Sequence, residues 1–236
     1  MTIGECVIDA LDHVHDPELD EPITLLGFVV ACEVSADGDV TLRLQLPTPQ
    51  CAPNFAYLMA ADARDAVRRL PGVRTVSVVL VDHYTGDEIN AALAREQGFA
   101  SAFPGETSND EDLYALRELF RRKALVARQS RICEALLAAG ETDEEVCRRT
   151  VADLGHSADG RRCIQLRATL GISSKTDAPA FVLPDGTPIQ PAELTRWLRV
   201  ARLARMSLEV NGGICRSLLR VHRGVKVDDP EEVVLR

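Results

Sequence analysis

From residue 40 to residue 46, apolar and polar side chains alternate without interruption. The apolar members fall on one side of such a segment: Val40, Leu42, Leu44 and Leu46. This alternation predicts a strand with one buried and one solvated face. Turn-forming residues at 36–39 separate it from an earlier apolar run, so we expect a β-hairpin with strands at 24–35 and 39–46. The apolar face of this hairpin must be covered by another layer.

Helical segments before and after the hairpin supply that layer. Residues 2–12 place apolar side chains on one helical face, and residues 54–70 are rich in alanine with apolar residues near helical spacing. Pro71-Gly72 ends the second helix, and residues 73–81 are predicted to form a third strand. The order α-β-β-α-β predicts an α+β domain in which a small mixed sheet is packed by helices.

The pattern changes after residue 97. Small and polar residues at 98–109 indicate a linker, and the rest of the chain carries mainly helical signals. Pro191 is predicted to open a last long helix, which should end at Asn211-Gly212-Gly213. We therefore expect an α+β domain over 1–97, the linker, and a mainly α-helical domain over 110–236.

Charge is distributed unevenly along the chain. Residues 1–108 contain 6 basic and 17 acidic side chains, whereas the remainder contains 21 basic and 19 acidic ones. The acidic half should repel nucleic acid, so no nucleic-acid partner is expected for it. No apolar run is long enough to span a bilayer, and the acidic N-terminus lacks the features of a signal peptide. We therefore expect a cytoplasmic protein with no membrane partner.

Seven cysteines are present, and no two of them form a C-x-x-C pair. They are Cys6, Cys32, Cys51, Cys133, Cys147, Cys163 and Cys215. In a reducing compartment they are expected to be free thiols, metal ligands or core residues rather than disulfides. Because closely spaced ligands are absent, any metal site must gather its ligands from distant segments or from two chains. Cys215, placed just after the expected end of the last helix, should be the most exposed cysteine of the helical half.

The loop from Thr48 to Pro53 is the most informative segment. Cys51 lies there between a strand and the start of a helix, where the helix dipole and unpaired N–H groups favour a thiolate. A thiolate is the form that binds metal or sulfur. A small buried core cysteine is an equally good interpretation of this position taken alone.

Two further segments carry candidate ligands. The acids of Asp16-Pro17-Glu18-Leu19 follow the first helix, and His83 follows the third strand, where loops at strand ends often carry function. A neutral imidazole such as that of His83 binds metals well. The alternatives are solvated acids at a helix terminus and an ordinary surface histidine.

Taken in order, these segments resemble the SufT-like and PaaD-like iron–sulfur cluster assembly domain over about residues 3–90. The matching positions are Asp16, Pro17, Glu18, Leu19, Leu26, Gly27, Thr48, Cys51, Pro53, Pro71, Gly72, Val73, Thr85 and Asp87. The chain departs from that pattern in two places: Ala52 stands between Cys51 and Pro53, and His83 lies where the family has no ligand.

The resemblance implies that Cys51 handles metal or sulfur. It places Cys51, Thr48, Asp16 and Glu18 in cofactor-binding positions, and Cys51, Glu18 and His83 are the candidate metal ligands. The expected cofactor is iron or an iron–sulfur cluster, held transiently. The expected partners are a client metalloprotein and a second copy of the chain in a homodimer. The added helical half is similar to accessory proteins of bacterial multicomponent di-iron monooxygenases, which implies an oxygenase component as the client.

Three functions remain open from the sequence: an assembly factor for iron centres, a non-metal adaptor that docks a client, and a nucleic-acid-binding regulator. The last would use arginines that repeat along two helices, which also fit a solvated face with pairs such as Glu118–Arg122. No P-loop, H-E-x-x-H or G-x-S-x-G motif is present, so we do not expect an enzyme.

Overall fold

The computed structural model describes residues 2–104 and 110–223. They form two compact units. Unit 1 comprises the described residues up to Tyr114 together with Asn211–Arg223, and unit 2 comprises Ala115–Val210. The last described segment, which the sequence assigned to the helical domain, thus groups with the α+β domain.

In unit 1 the elements follow the expected order, and two additional helices come after them. They are α1 (Ile3–Leu11), β1 (Val29–Val34), β2 (Asp39–Gln45), α2 (Pro53–Arg68), β3 (Thr75–Val81), α3 (Gly86–Ala94) and α4 (Phe99–Ala102). β2 lies in the middle of the sheet, antiparallel to β1 and parallel to β3. The expected fold class, a small mixed sheet with helices followed by a largely helical region, is confirmed.

Alternation along β2 determines which face of the sheet is buried. Leu42 and Leu44 are buried whereas Arg43 is exposed. In the parallel register Leu42 lies beside Val78 and Leu44 beside Leu80, so the two strands present one continuous apolar face. The buried residues of α1 and α2 belong to the same core, so these helices cover the apolar face of the sheet.

β1 begins at Val29, five residues later than the sequence predicted. The apolar residues before it form a turn instead, in which Gly27 adopts a positive φ of 74°. The Phe28 amide donates to the Ile23 carbonyl at 2.8 Å and closes that turn. An apolar run alone does not distinguish a strand from a buried turn, and the glycine was the available signal.

The predicted linker at 98–109 begins with helix α4, which packs on unit 1. The ring of Phe99 lies 5.5 Å from that of Tyr57, and Phe103 is buried. Residues 105–109 lie outside the described part of the chain. The described portion of this segment is therefore part of the domain core.

The remaining helices build unit 2 and connect it to unit 1. They are α5 (Glu111–Ala138), α6 (Asp143–Arg148), α7 (Val151–Leu154), α8 (Ala158–Thr169) and α9 (Pro191–His222). Unit 2 has its own hydrophobic core, which includes Leu125, Leu166 and Leu194. No helix in the described ranges is both long enough and apolar enough to cross a membrane.

The prediction that the last helix ends at Asn211-Gly212-Gly213 is wrong, because α9 continues to His222. Each helical glycine costs about 1 kcal/mol relative to alanine. Burial of Leu219, which is 4% exposed in the core of unit 1, offsets that cost. A Cβ on Gly212 would lie 3.1 Å from a carboxylate oxygen of Glu21, so the missing side chain allows a close approach.

Candidate functional site

The candidate site lies at one edge of the sheet in unit 1. Because β2 and β3 are parallel, the loops that follow them emerge at the same edge, and these loops carry Cys51 and His83. The Tyr84 amide donates to the Pro49 carbonyl at 3.0 Å. Nε2 of His83 lies 2.8 Å from the carbonyl oxygen of Cys51. The two loops are thus tied together at the backbone of the candidate cysteine.

His83 has partners for both ring nitrogens. Since a carbonyl oxygen only accepts, Nε2 carries the hydrogen and donates to Cys51. Nδ1 then accepts from Thr85, whose amide nitrogen is 3.3 Å away and whose hydroxyl is 3.1 Å away. Burial lowers the pKa of His83, although the bond to Cys51 opposes this. In this arrangement the neutral imidazole holds the loop that carries Cys51 through its hydrogen bonds. Ligation of a metal would require it to give up one of them.

Cys51 is half-buried and packs against the core of unit 1. Its amide donates to the Thr48 carbonyl at 3.3 Å, and the Thr48 hydroxyl oxygen lies 3.6 Å from its sulfur. That hydroxyl also accepts from the Gln50 amide at 3.2 Å, so Thr48 organises the turn that presents the thiol. Helix α2 begins two residues later at Pro53, one residue before the start that the sequence predicted.

The carboxylate of Asp16 shapes the turn that follows α1. Its Oδ1 accepts from the amides of Glu18 at 2.8 Å and Leu19 at 2.9 Å. Asp16 is only 8% exposed, in contrast to the interpretation of this segment as solvated acids. Burial raises the pKa of Asp16 to about 6, while the two amides act in the opposite direction. The carboxylate of Glu18 accepts from the side-chain amide of Asn211 at 3.3 Å.

Cys215 is the residue that the sequence did not connect with this site. It lies within α9 rather than after it, is half-buried, and packs against the same core as Cys51. Burial, followed by the charges of Asp16, Cys51 and Glu18, raises the pKa of Cys215 to about 11. No local pattern indicated this placement, because it depends on contacts of α9 with residues far away in the sequence.

Cys51, Cys215, Asp16 and Glu18 all belong to unit 1. Within the described residues, however, no group of three or more histidine, cysteine or acidic side chains is arranged to hold a metal ion. Cysteines 133 and 163 are buried inside unit 2. The Glu118–Arg122 ion pair is present, as the solvated-face interpretation of the arginines predicts.

Comparison with known proteins identifies the domain around Cys51. The model of the iron–sulfur cluster assembly protein family matches residues 5–78. An uncharacterized protein of Methanocaldococcus jannaschii is 33% identical over 97 residues, which are 41% of this chain and the whole of that protein. The chain belongs to the iron–sulfur cluster assembly protein family. A comparison with solved structures found no match.

Two other relatives of this family member have informative names. An Fe–S protein maturation auxiliary factor of Porphyromonas gingivalis is 30% identical over 97 residues, covering 40% of this chain and 90% of that protein. An iron–sulfur cluster carrier protein of Deinococcus radiodurans is 34% identical over 77 residues, which are 32% of this chain but only 21% of the carrier. These matches leave more than half of the chain without a counterpart in them.

Proposed function

We propose that this protein is an accessory factor that assembles or carries iron or iron–sulfur clusters for a client protein. The observation that carries the proposal is the placement of Cys51. It lies in a loop at the edge of the sheet, the loop is held by hydrogen bonds, and the domain belongs to the assembly family. In this proposal the chain is a cytoplasmic carrier rather than a catalytic enzyme, and the metal or cluster is its cargo.

Cys51 would hold the cargo through its sulfur, since thiolates are the ligands that iron–sulfur clusters use. The turn set by Thr48 and the bond from His83 keep the loop in one conformation, so the thiol is positioned before the cargo arrives. We assign His83 a positioning role, because both of its nitrogens already have partners. Asp16 builds the adjoining turn, and Glu18 adds negative charge that attracts a cation.

A complete ligand set would require a second copy of the chain. Among residues 2–104 and 110–223 no three donors form a metal site, whereas clusters are normally held by four. One face of α9 carries exposed apolar side chains at steps of three or four: Val200, Leu203, Met206, Val210, Ile214, Leu218 and Val221. Such a row suits pairing with the same helix of a second copy. A homodimer that Leu203→Glu converts to monomer in sedimentation would support this, and a monomeric wild type with cluster bound would contradict it.

We further propose an iron-dependent oxygenase component as the client. This step rests on the resemblance of the helical addition to accessory proteins of multicomponent monooxygenases. Co-purification of the wild-type chain with such a component, in an amount that iron loading changes, is the expected result. Equal recovery with Cys51→Ala and without metal would instead favour a docking adaptor.

Anaerobic reconstitution with iron and sulfide tests the role of Cys51. We expect the wild-type chain to take up iron and acid-labile sulfide and to absorb in the visible range. Cys51→Ala should lose this absorbance, whereas Cys32→Ala should keep it, since Cys32 is also half-buried against the same core but lies in β1. Equal iron content in all three proteins would remove Cys51 from this role.

A further inference from the structure

The chain turns sharply between β3 and α3. β3 ends at Val81 and α3 begins at Gly86, so residues 82–85 connect them. Asp82, the first residue of this connection, has a positive φ of 52°. Residues with a side chain rarely adopt this left-handed conformation, although aspartate tolerates it better than most. Such a conformation persists where the surrounding contacts hold it, and it is commonest at functional sites.

The side chain of Asp82 ties this turn to β2. Its Oδ2 accepts from Nε2 of Gln45 at 2.7 Å, and Gln45 lies opposite Val81 in the parallel register. The other end of the Gln45 amide, Oε1, accepts from Nε of Arg223 at 3.3 Å. Because a carboxylate only accepts and a guanidinium only donates, both bonds form in one orientation of the amide. Gln45 therefore holds Asp82 in a fixed position at the end of β3.

The turn at Asp82 directs the next two residues towards the loop that carries Cys51. Nε2 of His83 donates to the Cys51 carbonyl at 2.8 Å. The Tyr84 amide donates to the Pro49 carbonyl at 3.0 Å. Both bonds depend on the direction in which the chain leaves Asp82, so a change in its backbone conformation would displace both donors.

The far end of the connection is held separately, through Asn90 of α3. The Leu80 amide donates to Oδ1 of Asn90 at 2.8 Å, and Nδ2 of Asn90 donates to the Leu80 carbonyl at 3.0 Å. These two bonds fix α3 against the end of β3. Since both ends of the connection are held, a change at Asp82 must be taken up by His83 and the two residues that follow it.

We propose that Asp82 is a positioning residue for Cys51 and that it acts through His83. Its carboxylate keeps the turn in the conformation that brings the imidazole to the Cys51 carbonyl, so the loop is held before the cargo arrives. The inference rests on the proposed function and deepens it. Asp82 lies beyond the family match, which ends at residue 78, so that match does not assign it this role.

Proton NMR on the metal-free chain tests this inference. In the wild type we expect a resolved Nε2–H signal from His83, because its hydrogen bond and partial burial slow exchange with water. Asp82→Ala should lose the signal, since it removes the bond to Gln45 and leaves a residue that tolerates a positive φ poorly. Asp82→Asn should keep it, because an amide oxygen also accepts from Gln45. Glu88→Ala, which removes an exposed acid from the first turn of α3, is the matched control and should keep it as well.

Gln45→Met tests the same bond from the side of β2 and should also lose the signal, even if Asp82→Ala does not fold. On anaerobic reconstitution, iron affinity should fall at least about tenfold in Asp82→Ala, the lower end of the loss when a group that orients a metal ligand is removed. It should recover in Asp82→Asn. A signal that persists in both Asp82→Ala and Gln45→Met would overturn the inference. Full iron uptake by variants that lack the signal would also overturn it and leave the function of Cys51 standing. A wild-type chain that shows the signal but takes up no iron would overturn the proposed function, and with it this role of Asp82.

Discussion

Truncation of Leu219 tests whether the end of α9 is held on unit 1. The side chain is 4% exposed and belongs to the core that also contains α1 and the sheet. Replacing a buried leucine by alanine costs about 2 to 5 kcal/mol. Since a helix end can shift to fill part of the cavity, we expect about 2 kcal/mol for Leu219→Ala.

The assay is the rate at which iodoacetamide alkylates Cys215 in native protein. In the docked state this thiol is half-buried, and burial together with nearby negative charge raises its pKa to about 11, so it reacts slowly. Reaction then proceeds mainly through molecules in which the end of α9 has opened. A loss of about 2 kcal/mol makes that state about 30-fold more populated, and the alkylation rate should rise by the same factor.

Leu25→Ala is the matched control for this measurement. It makes the same chemical change elsewhere in unit 1, at a side chain that is 70% exposed and lies outside the apolar row of α9. A surface substitution alters stability by no more than about 0.5 kcal/mol, which corresponds to about a twofold change in rate. Equal rates for the two variants would refute the docking of α9 on this core, and with it the placement of Cys215.

Three other perturbations have defined outcomes. Arg216→Glu should accelerate alkylation of the same thiol, because the new carboxylate is repelled by Glu21. Adding Glu21→Arg should return the alkylation rate towards that of the wild type. A double variant that is alkylated as fast as Arg216→Glu would contradict the ion pair. Burial raises the pKa of Glu134. Hydrogen bonds and positive charge from nearby arginines, which include Arg205, lower this pKa by more, so the net shift is downward. Glu134→Gln should therefore be less stable than wild type in urea at pH 7, with the difference disappearing as the pH falls below about 4; a constant difference would contradict this. Arg167 is 1% exposed and donates to three backbone carbonyls. Arg167→Lys should therefore lower the free energy of unfolding of unit 2 by about 3 kcal/mol. The fluorescence of the single tryptophan reports this unfolding.

Local patterns were sufficient to predict most of unit 1. The alternation along 40–46 defined a strand and its buried face, and Pro71-Gly72 marked the end of a helix. These signals depend only on residues close by in the sequence, so the tertiary contacts formed on folding do not override them. Helix α3 at Gly86–Ala94 was missed, although Thr85 precedes it and two acids occupy its first turn.

The end of α9 shows why a local signal fails. Two consecutive glycines are a sound indication that a helix stops, because each costs helical stability. Here the preference is overridden by burial of Leu219 and by the close approach of Gly212 to Glu21, which are both contacts with residues far away in the sequence. Tertiary contacts of this kind leave no trace in the residues around the glycines.

The same reasoning explains what could be anticipated of the site. Cys51 was identified because its loop, its helix and the surrounding family positions are contiguous in sequence. The sequence puts Cys215 after a helix that is expected to stop, and its packing against the core of unit 1 depends on the docking of α9. The family match ends at residue 78 and does not include it.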